Sequence, residues 1–550
     1  MSGLHCYDAL ARAFLNEGVR ACFALLGDAN MNFATRLSDG GCRMIYVRHE
    51  HTTVSAAMSY ARATGEVGVA TVTCGPGLTQ TMTALAAAAR AGIPLVVFAG
   101  EAPISTAWYN QGIDQAPFVT ACGAAYVALH HPARLAVGVR DAFLQAKTEN
   151  RPVVVGVPFD LQDQPWTEAA MPAPSGAVLP KASPMPPHPD DVRRAAELVA
   201  GSRRIVVIGG RGALLADAAP ACRALAEACG GLLANTLPAR GLFDDDPFSV
   251  GIAGGFSSDV AREAFAEADL VIAVGMSLAA HAADAGRLYP RAAVLHVDTR
   301  PRAISQGRLA ATHHLRADAR LGIEALTSAL PPARPERWRS DDLARAIRER
   351  PADSTVFPAR PGTLDPRDVV RALDAVLPRE WESVNSSGHC SYFTAHMRGR
   401  PAERFHTIRE FGAIGNGLAY AIGVAAARPD TKVVLFDGDG SLLMHVQELE
   451  TIHRHGLDIL ICVLNDGAYG SEIHKLRFEG LSDAGAVFGY TDLATLARGF
   501  GLDGRRIDDL DAVGEIALAA GRTRSAALWD FHVSDAVVSP VIRRSHSAKP

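Results

Sequence analysis

The sequence predicts an α/β protein made of three doubly wound domains with parallel sheets. Short apolar runs alternate with helix-length patterns in three successive blocks, which is the rhythm of strand–helix–strand units. The chain has 550 residues, too many for one core, so that rhythm divides among two to four domains. A Pro-rich stretch, "MPAPSGAVLPKASPMPPHP", separates the first two blocks and reads as an extended linker.

The first block covers residues 1–165. It starts with "MSGLHCYDALARAFLNEGVR", an amphipathic helix without the basic start and unbroken apolar run of a signal peptide. "MIYVRHE" reads as a strand ending in charge, and "TTVSAAMSYARAT" as the helix after it. "VGVATVTC" is a second strand, "GPG" its turn, "LTQTMTALAAAARAG" a small-residue helix, "IPLVVFAGE" a third strand, and "RPVVVGVPFDL" closes the block. The second block, 190–330, places strands at "RRIVVIGGRG", "ADLVIAVGMSL" and "AAVLHVDTRP" and ends near "ALPPARPERW". The third, 365–540, precedes a tail, "RRSHSAKP", expected to be disordered. The matched rhythm of the first and third blocks implies two versions of one architecture.

Composition narrows the function classes. A net charge of −5 with 21% charged residues gives no footprint for nucleic acid or a basic membrane patch. No run reaches the ~18 uninterrupted apolar residues of a membrane span. Nine cysteines with no CxxC pair read as reduced thiols, and the cytoplasm is the expected compartment.

Chemistry concentrates in the third block. Strand "TKVVLF", loop "DGDGS", helix "LLMHVQELETIHRHG", strand "LDILICVLN" and loop "DGAYG" form one βαβ unit. Its strands run parallel, so both loops emerge on the carboxyl edge where open α/β sheets bind ligands. Asp437 and Asp439 lie on one loop, Asn465 and Asp466 on the other. Oxygen ligands converging from two loops suit a hard cation such as Mg²⁺, which usually shares its sphere with phosphates. Gly438 and Gly440 allow close backbone approach, and Ser441 begins a helix whose amides can meet phosphate. "GDGSLL" lacks the third glycine of a dinucleotide fingerprint.

"GDGSLLMHVQELETIHRHGLDILICVLNDGAYG" resembles the thiamine diphosphate motif, which begins Gly-Asp-Gly and ends about thirty residues on in a paired Asn. Over nearly its whole length the chain resembles the acetolactate synthase, pyruvate decarboxylase and benzaldehyde lyase superfamily. That implies pyrimidine-binding, central and diphosphate-binding domains in this order, with thiamine diphosphate and Mg²⁺ as cofactors. By position the resemblance gives Asp439, Asp466 and the backbone carbonyl of Ala468 to the metal, with Asp466 where the family usually has Asn. Gly440, Ser441, Tyr469, Gly470 and Ser471 fall at cofactor-binding positions, Ser471 also with Glu472 and Ile473 where relatives face substrate, and His389 where relatives touch the diphosphate. "REFGAIGNG" resembles the turn whose Ala413 and Ile414 lie under the cofactor, Ile414 as a wedge that bends it. "RHE" followed by a helix and "GPG" resembles the pyrimidine-domain pattern, making Glu50 the activating acid and setting Pro76 and Gly77 against the pyrimidine. A carboxyl group hydrogen-bonded to that ring favours the imino tautomer that can take the proton from the thiazolium carbon. The central block is compatible with a vestigial nucleotide fold, but no residue demands FAD and FAD is not favoured.

For the substrate, "WYNQGIDQ" resembles a loop carrying an active-site Gln, with Gln111 first and Gln115 second. Glu472 falls where pyruvate-type decarboxylases place a catalytic Glu, and His49 and His51 flank Glu50. The expected activity is decarboxylation of a 2-oxo acid, with the resulting carbanion-enamine passed to an aldehyde, ketone or proton, in a homodimer or homotetramer. The alternatives are a benzaldehyde lyase or benzoylformate decarboxylase type acting on aromatic substrates, and a non-catalytic cofactor-binding protein on the same fold.

Overall fold

The computed structural model describes residues 4–167, 170–331, 338–407 and 409–547. The first sheet holds β1 (Ala21–Ala24), β2 (Arg43–Tyr46), β3 (Gly68–Val72), β4 (Leu95–Glu101), β5 (Ala125–Ala128) and β6 (Pro152–Pro158), ordered β2-β1-β3-β4-β6-β5. The second holds β7 (Ile205–Gly209), β8 (Leu232–Asn235), β9 (Ser249–Ile252), β10 (Leu270–Val274) and β11 (Ala293–Asp298); a small hairpin, β12 (Ile304–Ser305) with β13 (Arg308–Leu309), precedes its last strand, β14 (His313–Arg316). Its order is β14-β11-β10-β7-β8-β9. The third holds β15 (Glu382–Asn385), β16 (Phe405–Thr407), β17 (Val433–Gly438), β18 (Ile459–Asn465), β19 (Asp503–Arg506) and β20 (Ala527–His532), ordered β16-β15-β17-β18-β20-β19. Every pairing in the three sheets is parallel.

The first and third sheets share one strand order, so the matched rhythm of their sequences reflects a common topology. Central strands such as β6 and β18 are buried along their whole length, because helices cover both faces, and this is why they read as unbroken apolar runs. The middle sheet has the doubly wound order whose switch point lies between β7 and β10, where a dinucleotide would sit. Here backbone closes that crevice. Gly210 N–H donates to Val274 O at 2.8 Å and Gly212 N–H to Gly275 O at 2.7 Å, and a Cβ on Gly210 would come within 2.5 Å of Gly275 O.

Three local expectations are corrected. The run "LLMHVQELETIHRHG" is not one helix. A turn at Asp439–Leu442 passes through a 3₁₀ segment, Leu443–His445, before the helix Glu448–Arg454. The loop "DGDGS" starts later than its glycines suggest, because β17 continues through Asp437 and Gly438. Most of the tail is ordered: Arg543–Ser547 belong to the helix Pro540–Ser547, which Arg544 fixes to Asp259 at 3.0 Å and Arg543 to Asp353 at 2.7 Å. Residues 548–550, and 332–337 within the expected end of the second block, lie outside the described residues. Among the described residues no helix is long and apolar enough to cross a membrane.

The first and third sheets meet through the helices Glu50–Thr64 and Gly417–Ala427. Gly423 permits the close crossing: a Cβ there would come within 2.0 Å of both Ala56 O and Ser59 Oγ. Backbone cannot yield as a side-chain tip can. Gly423→Ala is therefore expected to lower the stability of the chain by about 1–3 kcal/mol, read from the denaturant midpoint, and an unchanged midpoint would contradict this packing.

Candidate active site

The register of β17 on β18 pairs Asp437 with Val463 and Gly438 with Leu464, so the residues that follow each strand emerge side by side. Asp439 is buried, and its Oδ2 accepts the Gly467 N–H from the neighbouring loop at 3.0 Å. Asp466 Oδ1 accepts the Ala468 N–H at 3.3 Å. Burial raises the Asp439 pKa to about 6. Burial, then the charge of Asp439, holds Asp466 well above the usual carboxylate range. Two carboxylates that resist ionisation side by side are a place for a cation.

Ala468 completes the donor set. Its bridge to Val487 runs through Gly467 O and Tyr469 N, so no hydrogen bond among the described residues ends on the Ala468 carbonyl. Two carboxylates and a carbonyl fit a hard divalent ion. Among the described residues no three His, Cys, Asp or Glu side chains converge on one point. The other two polar groups of these strand ends point elsewhere. Asp437 Oδ2 lies against Gly417, where a Cβ would come within 2.2 Å, and burial pushes its pKa up to about 7. Asn465 Nδ2 donates to Asp530 Oδ1 at 2.9 Å and Thr491 O at 3.1 Å.

The raised Asp439 pKa has a sign that can be tested. An acid whose folded pKa lies above its unfolded value costs stability once ionised, so the cost is absent well below pH 4 and complete above about pH 6. In metal-free protein, Asp439→Asn is expected to be more stable than the parent. The gain grows to about 1–3 kcal/mol as pH rises from 4 to 7, measured as the difference between paired denaturation curves. A gain that shrank over this range would contradict the assignment.

Glycines let the surrounding loops approach these acids. A Cβ on Gly440 would lie 2.8 Å from the Tyr469 ring, and one on Gly470 would lie 2.3 Å from Asp466 Oδ2 and 3.1 Å from His389 Nδ1. Ser441 Oγ accepts the Gly415 N–H at 2.9 Å and so ties this loop to the one carrying Ala413 and Ile414. Ile414 is half-buried, with Cγ2 3.8 Å from the position of a Cβ on Gly388. His389 Nε2 accepts the Ser539 N–H at 3.0 Å, which puts the proton of the neutral ring on Nδ1, 4.0 Å from Asp466 Oδ2. Burial, then the nearby His474, keeps that ring neutral by lowering its pKa well below the usual range. Ser471 is half-buried, whereas Glu472 is exposed and pairs with Lys475 at 3.1 Å.

On the first sheet, Glu50 is buried at the first position of its helix, and its Oε2 accepts a hydrogen bond from Gln80 Nε2 at 2.9 Å. Pro76 and Gln80 beside it are exposed, while Gly77 is buried. Gly75 turns with φ +60°, and a Cβ there would come within 2.2 Å of Gln111 O. Gln111 therefore lies on the 75–77 turn, and its Oε1 accepts the Cys74 thiol at 3.5 Å. Gln115 serves as a buried pin, accepting from Gly75 N–H at 2.9 Å and donating to Gly100 O at 3.0 Å. Sequence reasoning missed the junction beside Glu50. His51 bonds Asn416 and stacks on His445 with ring centroids 4.9 Å apart, and burial lowers its pKa to about 4. These partners lie more than 360 residues apart, so no local pattern could pair them.

Three family matches fall one on each of the three sheet domains: the thiamine pyrophosphate enzyme N-terminal TPP binding domain over residues 4–118, the central domain over 192–326 and the C-terminal TPP binding domain over 386–530. The acetolactate synthase large subunit of Parasynechococcus marenigrum is 30% identical over 545 residues, covering 96% of this chain and 87% of the relative. A probable acetolactate synthase large subunit of Methanocaldococcus jannaschii is 27% identical, over 97% of this chain and 93% of the relative. The acetolactate synthase isozyme 2 large subunit of Escherichia coli is 28% identical, over 92% and 91%. The chain belongs to the thiamine pyrophosphate enzyme family, as an acetolactate synthase-like member.

Proposed function

We propose that the chain is a thiamine diphosphate- and Mg²⁺-dependent enzyme that decarboxylates a 2-oxo acid and passes the remaining acyl carbanion equivalent to a carbonyl acceptor or a proton. The juxtaposition of buried Asp439 and half-buried Asp466, both raised in pKa on neighbouring strand ends, carries this reading. Asp439, Asp466 and the Ala468 carbonyl would hold the metal. Gly440, Ser441, Tyr469, Gly470 and Ser471 would border the diphosphate, and His389 would offer its Nδ1–H there. Ala413 and Ile414 would support the rings from below. When bound, the cofactor supplies an acidic ring carbon and an electron sink for cleavage of a carbon–carbon bond. Glu50 would hold a proton at Oε1 or Oε2 against the pyrimidine ring, with Pro76 and Gly77 beside it. Gln111 and Glu472 would face the substrate. FAD, possible on the central domain but not favoured by its sequence, is not part of this reading.

The smallest active unit in this reading is a homodimer, with Glu50 of one protomer facing Asp439 of its partner. Exposed apolar side chains beside both half-sites support an interface there: Trp108 at 79%, Ile104 at 59%, Met444 at 49% and Phe411 at 41% exposure.

The test incubates the protein, thiamine diphosphate and Mg²⁺ with a panel of 2-oxo acids and follows carbon dioxide and ligated products by mass spectrometry. Carbon dioxide from small aliphatic 2-oxo acids is expected. Turnover confined to benzoylformate or benzoin would favour the aromatic-substrate alternative. Cofactor binding without proton exchange at the thiazolium carbon would indicate a non-catalytic protein.

A further inference from the structure

Ile414 is carried by the turn 413–416, which is tied down on both sides of that side chain. Asn416 Nδ2 donates to Ala413 O at 3.2 Å, the Gly415 N–H donates to Ser441 Oγ at 2.9 Å, and His445 Nδ1 donates to Gly415 O at 2.9 Å. Among the described residues Ile414 makes no hydrogen bond of its own, so its neighbours set its place. Gly415 allows the fit, with φ +87° and a Cβ position 3.0 Å from His445 Nδ1.

One further tie crosses from the first domain. His51, the second residue of the helix Glu50–Thr64, hydrogen-bonds Asn416 Oδ1 through Nε2, and Ser55 Oγ, one turn on, donates to the same oxygen at 3.2 Å. The Nδ2 bond to Ala413 O fixes the orientation of the Asn416 amide, so His51 Nε2 must carry the ring proton. Asn416 precedes the helix Gly417–Ala427, yet its side chain makes no cap there and is spent on this junction instead. His51 stacks on His445 with the ring planes 18° apart, and His49 sets its ring edge-on to His445 at 5.0 Å. Burial, then His445, lowers the His51 pKa to about 4, and burial, then His49, lowers that of His445, so the stacked rings are neutral at neutral pH. His51, Ser55, Asn416 and His445 are all buried, and a buried polar group that loses its partner is costly, so the junction holds its geometry.

The two ends of this contact serve different active sites in the proposed dimer. Glu50 faces the acids of the partner. Ile414 belongs with the acids of its own chain, because Gly415 is bonded to Ser441, two residues from Asp439. His51 is next to Glu50 in sequence and yet holds the turn of the other site.

We propose that His51 is a positioning residue for Ile414: acting through Asn416, it sets how Ile414 supports the cofactor rings held by its own chain, and with that how readily the bound cofactor's ring carbon gives up its proton. This rests on the thiamine diphosphate reading above.

The first test uses the full chain loaded with thiamine diphosphate and Mg²⁺. His51→Leu is expected to slow exchange of the ring-carbon proton for solvent deuterium, read by NMR after acid quench, on the order of 10- to 100-fold, the weight of a small misplacement. Cofactor affinity by calorimetry is expected to stay nearly unchanged, because the acid pair is untouched. His51→Gln, which keeps an N–H for Asn416 Oδ1, should restore most of the exchange. Asn416→Ala should slow exchange as His51→Leu does, and serves if the Leu variant does not fold. In cofactor-free protein the shifts of the denaturant midpoint for His51→Leu and Asn416→Ala should be non-additive.

Hybrid dimers locate the effect. A hybrid of Glu50→Gln and Asp439→Ala chains keeps one working site, built on the Asp439 of the Glu50→Gln chain. His51→Leu placed in that chain is expected to lower carbon dioxide release from a 2-oxo acid by the same factor as it slows exchange. Placed in the Asp439→Ala chain, it is expected to spare the working site. The opposite pattern would mean that His51 acts on its neighbour Glu50, and overturns the proposal. So do unchanged exchange in the His51→Leu protein, equal losses of exchange and affinity, or additive midpoint shifts. A hybrid that is inactive before any change at His51 defeats the shared-site reading, and the split between exchange and affinity in the single variants then decides the inference alone. A wild-type protein that binds the cofactor without exchange defeats the catalytic reading and this inference with it.

Discussion

Replacing Glu50 by Gln is expected to reduce turnover by about 10²- to 10⁴-fold, the usual weight of a positioned acid–base group, while thiamine diphosphate still binds. The variant is nearly isosteric. Its amide oxygen can still accept the Gln80 Nε2 hydrogen bond made in the parent at 2.9 Å, so the start of the helix Glu50–Thr64 has no reason to shift. What it loses is a proton that can be held and exchanged at the ring. Calorimetric titration of the cofactor, run beside carbon dioxide release, separates the two effects. Undiminished turnover would remove Glu50 from its role, and loss of binding equal to loss of turnover would make it an anchor only.

Asp439→Ala is expected to abolish metal-dependent cofactor binding, with affinity falling by about 100-fold or more and the remaining affinity insensitive to Mg²⁺. Outer-shell partners of metal ligands already account for about 10–100-fold, and Asp439 would be a ligand itself. It is buried, holds the Gly467 N–H and lies beside Asp466. Asp466→Asn is expected to lose less, because an amide oxygen still reaches the ion and the repulsion between the two acids is gone. Chelation of the wild-type protein should mimic Asp439→Ala. Affinity that is unchanged by the substitution and by chelation would refute the ligand assignment.

The paired acidic loops were legible in the sequence because β17 and β18 are buried strands and consecutive in one βαβ unit. Apolar run, acidic loop, helix and apolar run could then be placed in space without any tertiary information. The sequence did not reveal that Asp437 faces inward. That depends on β17 running two residues past its apolar stretch, with Gly417 leaving room for the carboxylate. The strands β1 and β5 were missed for a different reason. "ACFA" and "AYVA" are four residues each and alanine-rich, without the β-branched run that marks β4 or β6. The histidine junction at His51 and the stacking of Arg409 on Phe256 join distant segments, and only the packed chain brings them together. The two versions of one architecture were visible as rhythm alone, and the shared strand order gives that rhythm its physical meaning.

In the proposed function the site is assembled from two chains, with Glu50 of one protomer serving the Asp439 and Asp466 loops of its partner. The most direct measurement mixes two inactive variants, Glu50→Gln and Asp439→Ala, after dissociation and reassociation, and assays carbon dioxide release from a 2-oxo acid that the wild-type protein decarboxylates. A hybrid dimer would pair the intact Glu50 of one variant with the intact Asp439 of the other, so activity is expected to return at one of its two sites. A mixture whose reassociation is verified and which stays as inactive as either parent would contradict the shared site.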